Sequence, residues 1–255
     1  MDVELRIEGH RAEVILNRPD VLNAMNWDVF DALADIASQL EKEEDVRVVV
    51  VSGEGRSFSS GIDLTVFGAG DLPDGDLIAR AQAGIRTLAG LKVPTIAKVR
   101  GHAFGAGFQL ALACDLRVMA TDAKVGLFEA KYGLIPDLGG PHRVAALAGP
   151  GMAKHMMWLA EQIDGSEAHR RGLAERVVEP AELDGVVNDL AQRLASAPPL
   201  VVRGIKRLVD SASGRTFAQA LDDVAEEQKS VMASNDFGEA IAAFLQKRSP
   251  RYTGK

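Results

Sequence analysis

Polar and apolar residues alternate from the start of the chain: Val3, Leu5 and Ile7 are separated by Glu4 and Arg6, the two-residue period of a strand with one solvated face. Glu8, Gly9 and His10 form a turn signal, and the apolar run from Ala12 to Leu16 predicts the returning strand of a hairpin. The period then lengthens. Trp27, Phe30, Leu33, Ile36 and Leu40 recur at helical spacing behind Asn26, whose side chain can cap the free amides of a helix start. The run Val46 to Val51 has four consecutive valines and little polar character, which predicts a strand covered on both faces.

The pattern recurs with a helix over about residues 76–91, a strand at Thr95–Val99, a glycine-containing turn, a helix through Leu112 and a strand at Leu116–Met119. Strand, turn and helix in this order predict an α/β core whose loops gather at one end of the strands. From about Pro180 strand signals vanish, and helices are predicted at 180–196, 199–212, 216–233 and 236–246, with breaks at Pro198-Pro199 and Ser213-Gly214. The change of character divides the chain into an α/β body, residues 1–197, and a helical C-terminal region, residues 198–255. Phe217, Leu221, Val224 and Phe244 in those helices fit either packing within the chain or a subunit interface.

Composition narrows the classes. At 255 residues with 47% hydrophobic and 25% charged positions, the chain can bury a sizeable core and carries no disorder signature. A net charge of −7 argues against nucleic acid as a partner, because phosphate backbones are bound by Lys and Arg. No basic-then-apolar leader and no run of about 18 apolar residues is present, so the expectation is a cytoplasmic protein with no membrane span. The single cysteine, Cys114, ends an apolar run and reads as packing. His10, His102, His142, His155 and His169 are scattered without ligand spacing, so no metal site is expected, and His102 reads as structural.

Candidate chemistry is concentrated in three segments. Gly101, Gly105 and Gly107 precede the apolar run from Phe108 to Cys114, so backbone amides at the start of a buried helix can approach a ligand and hold negative charge. Upstream lies Arg56-Ser-Phe-Ser-Ser-Gly61-Ile-Asp63-Leu64, and downstream Leu127 to Gly140 carries Glu129 and Asp137. Neither glycine stretch has the lysine ending of a phosphate loop or dinucleotide glycine spacing, and Ser59 and Ser60 lack the Gly-x-Ser-x-Gly elbow of a serine nucleophile.

With these segments the chain resembles the crotonase family, the enoyl-CoA hydratase/isomerase superfamily, from Leu16–Asn23 to Ala243–Pro250. The resemblance implies a spiral of ββα turns with C-terminal helices that assemble a homotrimer or a dimer of trimers. It also implies an acyl-CoA thioester substrate, with coenzyme A as part of that substrate and no separate cofactor. The paired oxyanion-hole amides then fall on Ile62 and Ala106. Coenzyme A contacts fall on Arg18, Leu22, Gly61, Asp63, Leu64, Gly105 and Lys247, with Arg18, Lys206 and Lys247 as cations for its phosphates.

Hydratases of the family resemble one another in having two glutamates; here the first position is Gln109 and the second Glu129. Gln109 cannot take or give a proton, whereas Glu129 alone can move one along an enolate, its pKa raised by burial beside Phe128 and an acyl chain. Asp137, with Ser60 to Leu64, looks like the dienoyl-CoA isomerase branch, although that branch usually carries aspartate where this chain has Gln109. Capping of a helix before Leu138 is the other role open to Asp137. The expectation is therefore double-bond isomerisation by Glu129. The alternatives are a hydratase in which Gln109 positions water, and a non-catalytic acyl-CoA-binding or assembly protein.

Overall fold

The computed structural model describes residues 1–67 and 75–255. β1 (Val3–Glu8) and β2 (Arg11–Leu16) pair antiparallel as the alternation predicts. The Asn26 side chain accepts from Val29 N at 3.0 Å and opens α1 (Trp27–Leu40), which buries Val29, Phe30, Leu33, Ala37 and Leu40. β3 (Val48–Gly53) starts two residues later than the valine run and extends through the polar Ser52; its valines are all buried. α2 (Gly75–Ala89), β4 (Thr95–Val99), β5 (His102–Phe104), α3 (Ala106–Ala113), β6 (Leu116–Ala120) and β7 (Lys124–Gly126) follow. The remaining elements of the body are α4 (Gly140–Ala148), α5 (Pro150–Trp158), β8 (Gln162–Asp164), α6 (Gly165–Arg170), β9 (Arg176–Val178) and α7 (Leu183–Ser196).

Two sheets organise these elements. A six-stranded sheet has the order β1-β2-β3-β4-β6-β9, parallel apart from the β1–β2 hairpin, and a three-stranded sheet has the order β5-β7-β8. The pairs β4/β5 and β6/β7 each send one strand to each sheet, which is the expected spiral of ββα turns. β5, β7, β8 and β9 are three residues long, too short for a two-residue period to appear in sequence. Every residue of α3 is buried, so this helix has no polar stripe and sits as a core strut between the sheets.

α7 buries Leu183, Val187, Ala191 and Ala195 and packs on the six-stranded sheet. The three helices after it differ. α8 (Pro199–Ser211) buries only Pro199 and Gly204, α10 (Asn235–Leu245) only Asp236 and Ala243, and α9 (Phe217–Met232) buries nothing. Phe217 is 80% exposed and Phe244 82%, so packing within the chain does not account for them. The C-terminal tail is held to α10 by Asp236, whose carboxylate accepts from Thr253 N at 2.6 Å and Gly254 N at 2.8 Å. No helix among the described residues is long and apolar enough to cross a membrane.

Candidate active site

The loops that follow β3 and β4 lie side by side. Ser59 N donates to His102 O at 2.9 Å and Phe104 N to Ser59 O at 3.0 Å, a parallel bridge between the two. On the other side of the first loop, Met25 N donates to Gly61 O at 2.8 Å and Asp63 N to Met25 O at 2.9 Å. Because both neighbours of Ile62 bond to Met25, the N–H of Ile62 itself faces away from Met25. Gly61 has φ +102°, and a Cβ there would sit 2.7 Å from Phe104 O and 3.8 Å from Ala106 N, so only glycine allows this approach. Ala106 opens α3 behind Gly105 and presents one of the free amides of the first turn, at the positive end of the helix dipole. Among the described residues, neither the Ile62 nor the Ala106 amide donates a hydrogen bond.

Two buried residues that the sequence reading missed set the first loop. Asn23, with φ +56°, accepts from Arg18 N at 2.8 Å through Oδ1 and donates through Nδ2 to Glu54 O at 3.0 Å and Ser57 O at 2.8 Å. Its carbonyl accepts from Ser59 Oγ at 2.8 Å, and that hydroxyl in turn accepts from Gly61 N at 3.2 Å. Asparagine tolerates the left-handed conformation, so its place after Leu22 was the available signal.

Glu129 begins a short 3-10 turn, Glu129–Tyr132, and its Oε1 accepts from Gln109 Nε2 at 2.8 Å. Gln109 is 1% exposed, and its Oε1 accepts from Leu138 N at 2.9 Å and Gly140 N at 3.0 Å. Glu129 Oε2 is buried and has no hydrogen-bond partner among the described residues. A Cβ on Gly105 would lie 3.3 Å from Glu129 Oε1, which puts this carboxylate against the turn that presents the Ala106 amide. Burial pushes the Glu129 pKa above its ordinary value; its own backbone amide and the Gln109 hydrogen bond oppose this, and the nearby Asp137 charge adds to it. Asp137 as a residue is exposed, yet enough protein crowds its carboxyl to raise that pKa too. The capping role open to Asp137 is not used: α4 starts at Gly140 behind Gly139, without a side-chain cap bond.

The remaining sequence candidates separate. Arg18 Nη1 donates to Asp63 Oδ2 at 3.0 Å and Ala24 O at 2.6 Å, so Arg18, Asp63 and the adjoining Leu22 and Leu64 frame the first loop. Asp63 also accepts from Thr65 Oγ1 at 2.7 Å, and these bonds hold its carboxyl below the usual range. Lys206 is a correction: its Nζ meets Asp115 Oδ2 at 2.7 Å and Val93 O at 3.2 Å, beyond the far end of α3 from Ala106. Lys247 is exposed after α10 and makes no ion pair among the described residues, and within one chain nothing joins it to the two loops.

His102 is engaged with Ser57 Oγ at 3.0 Å, and burial pushes the Cys114 thiol up to about 12, which leaves it inert. No group of three or more potential metal ligands occurs among the described residues. A cavity of about 650 Å³ lies instead between α10 and the tail, lined by Asp236, Glu239, Arg248 and Arg251. Its two carboxylates are occupied by tail amides and Arg248, so chemistry rather than volume singles out the site at the two loops.

The chain is similar to several known proteins along nearly its whole length. A family model described as Enoyl-CoA hydratase/isomerase matches residues 7–255. The 1,2-epoxyphenylacetyl-CoA isomerase of Escherichia coli strain K12 is 36% identical over 94% of this chain and 94% of that protein. The short-chain-enoyl-CoA hydratase of Clostridium acetobutylicum is 32% identical over 97% of this chain and 95% of that protein. A Thermobifida fusca YX protein solved in complex with CoA superposes with a TM-score of 0.86 at 38% identity, covering 91% of this chain and 93% of that one.

Proposed function

The chain belongs to the enoyl-CoA hydratase/isomerase family, the crotonase family, as an enzyme of it, and we propose that its reaction is a double-bond shift in an acyl-CoA thioester. The observation that carries the reading is Glu129 Oε2, a buried carboxylate oxygen without a hydrogen-bond partner among the described residues, on a carboxylate set against the turn that presents the free Ala106 amide. In a 3-enoyl thioester, Oε2 takes a proton from C2, the electrons move into a dienolate, and the same oxygen returns the proton to C4 to give the 2-enoyl product. The Ile62 and Ala106 amides receive the thioester oxygen as it gains charge, and each such donor contributes on the order of 10²–10³ in rate. A carboxyl raised toward neutrality suits a group that must both take and give a proton.

Asp137 adds a second desolvated carboxyl on the same side, which extends the reading to conjugated dienoyl thioesters. A relative solved in complex with CoA supports CoA binding by this fold, and Arg18, Leu22, Gly61, Asp63, Leu64 and Gly105, which frame the first loop and the turn before α3, are the rim on which the thioester end would rest. The bare faces of α8 to α10 support assembly through residues 198–255 as a homotrimer or a dimer of trimers, and that assembly is the route by which Lys247 of one copy would reach a bound CoA. The hydratase reading is weaker, because both acceptor positions of Gln109 Oε1 are filled by backbone amides and it cannot accept a proton from water. Family membership and the open Oε2 count against a binding-only protein.

The test is turnover of 3-enoyl-CoA, 3,5-dienoyl-CoA and crotonyl-CoA followed by ultraviolet absorbance, with Glu129→Gln in parallel. Isomerisation is expected to dominate and to fall about 10²–10⁴-fold in kcat in the variant, with KM little changed. Fast hydration of crotonyl-CoA, or full activity without the carboxylate, overturns the reading.

A further inference from the structure

We propose that Gln109 is a positioning residue that decides which oxygen of Glu129 carries the proton and locks the Asp137 loop to that carboxylate. This rests on the reading of Glu129 as the proton carrier. The orientation of the Gln109 amide follows from its neighbours: Leu138 N at 2.9 Å and Gly140 N at 3.0 Å both donate, so only the oxygen can face them. Nε2 is thereby directed to Glu129 Oε1 at 2.8 Å.

An amide N–H accepts nothing, and a hydroxyl oxygen is a poorer acceptor than a carbonyl oxygen, so a proton placed on Oε1 would weaken that bond and leave its O–H no acceptor in Gln109 Nε2. A proton on Oε2 leaves Oε1 as a carbonyl oxygen that still accepts from Nε2. The ionised and the protonated Glu129 therefore use the same hydrogen bond, and the carboxyl need not turn during transfer. The oxygen left over for chemistry is the buried one without a partner. The same side chain sets the neighbouring loop: Gln109 grips Leu138 and Gly140 through their amides, while Gln82 Nε2 grips Asp137 O at 2.7 Å from α2.

Gln109→Glu separates positioning from packing. The new carboxylate keeps an acceptor for Leu138 N and Gly140 N but meets Glu129 acceptor to acceptor, so the pair must share a proton. Titration of the full-length protein with carboxyl-13C glutamate, followed by NMR and assigned through Glu129→Gln, reads this without any substrate. The wild type is expected to give one raised glutamate, and Gln109→Glu a coupled pair whose upper pKa lies at least about one unit higher, a tenfold change in the ionisation constant.

Where a thioester is turned over, the acid limb of the kcat profile should move to higher pH by a similar amount, with KM within about twofold. Gln109→Leu, in which Leu138 N and Gly140 N lose their acceptor, should lower kcat by a further amount if it folds. An unchanged Glu129 titration and an unmoved kcat limb in Gln109→Glu overturn the inference. A shifted titration in a protein that turns over no thioester supports the positioning role while rejecting the proposed reaction.

Discussion

The two ends of α3 are finished in opposite ways. At the C-terminal end Arg117, 2% exposed, donates to Cys114 O at 2.7 Å and Leu173 O at 3.0 Å and is ion-paired with Glu175. Beside it Asp115 accepts from Thr95 N at 2.8 Å and from Lys206 Nζ at 2.7 Å. Cations at this end suit the negative pole of the helix. At the N-terminal end the Ala106 amide donates to nothing among the described residues and the Glu129 carboxylate is answered on one oxygen alone. Among the described residues no anion caps the positive pole directly, and the carboxylate nearby, Glu129, is bonded to Gln109 Nε2 instead. At the C-terminal end of α3 the polar groups that hold the fold are paired, whereas those at the proposed chemistry are left half-made, as a site that must accept charge from a substrate requires.

Closing the open end should do the greatest harm. Gly61→Ala puts a methyl group 2.7 Å from Phe104 O at a backbone angle of +102°, so the Ile62 amide must swing away from Ala106. A kcat loss of about 10²–10³ is expected, the cost of one oxyanion donor, together with a lower Tm. Steady-state kinetics on whichever thioester the wild type isomerises gives the answer, and a variant with normal kcat would mean that the two amides do not act together.

How much of this contrast the sequence carried depends on the length scale of each signal. Asn26, the valine run before Gly53 and the glycines at 61 and 105 act over a few neighbours, and each predicts a cap, a strand or a turn found in the structure. Glu129 and Gln109 were legible through the family resemblance, and their mutual bond was not, since it joins residues 20 positions apart. Asn23 and Ser59 escaped because polar residues in a turn look alike until their partners in another loop are known. Lys206 was misread for the same reason: a basic residue on a C-terminal helix looks free until α3 delivers Asp115 to it. α4 to α6 were passed over because their apolar residues follow no sustained period, the result of packing against several neighbours at once.

The closed end should break differently. Arg117→Met removes the cation and leaves the carbonyls of Cys114 and Leu173 without a donor, while Glu175, still 33% exposed at its side chain, can turn to water. That exposure places the expected loss at the low end of the range for a broken buried pair, about 3 kcal/mol in denaturant unfolding. The kcat per folded molecule should stay near the wild-type value, because α3 still presents Ala106 through its intact first turn. A large kcat loss with unchanged stability would reverse the assignment of roles to the two ends.

The smallest effect is one of pH, and its sign separates an open carboxylate from a closed one. Burial raises the Glu129 pKa above its ordinary 4.5, so the folded state is penalised for the charge once the pH exceeds the raised value and carries no penalty below 4.5. Glu129→Gln should therefore raise Tm by on the order of 2 °C at neutral pH, and the gain should fade as the pH falls through the window between the raised value and 4.5. Glu239, at the junction of α10 and the tail, is the opposite case: Arg248 and the Arg251 amide hold it at about 2. Its contribution is present above its ordinary 4.5 and is lost as the pH falls toward 2, so Glu239→Gln should lower Tm at neutral pH and match the wild type in strong acid. Thermal melts of both variants from neutral to acid pH would give slopes of opposite sign; slopes of the same sign would mean that Glu129 is as well paired as Glu239, and the open end of α3 would not exist.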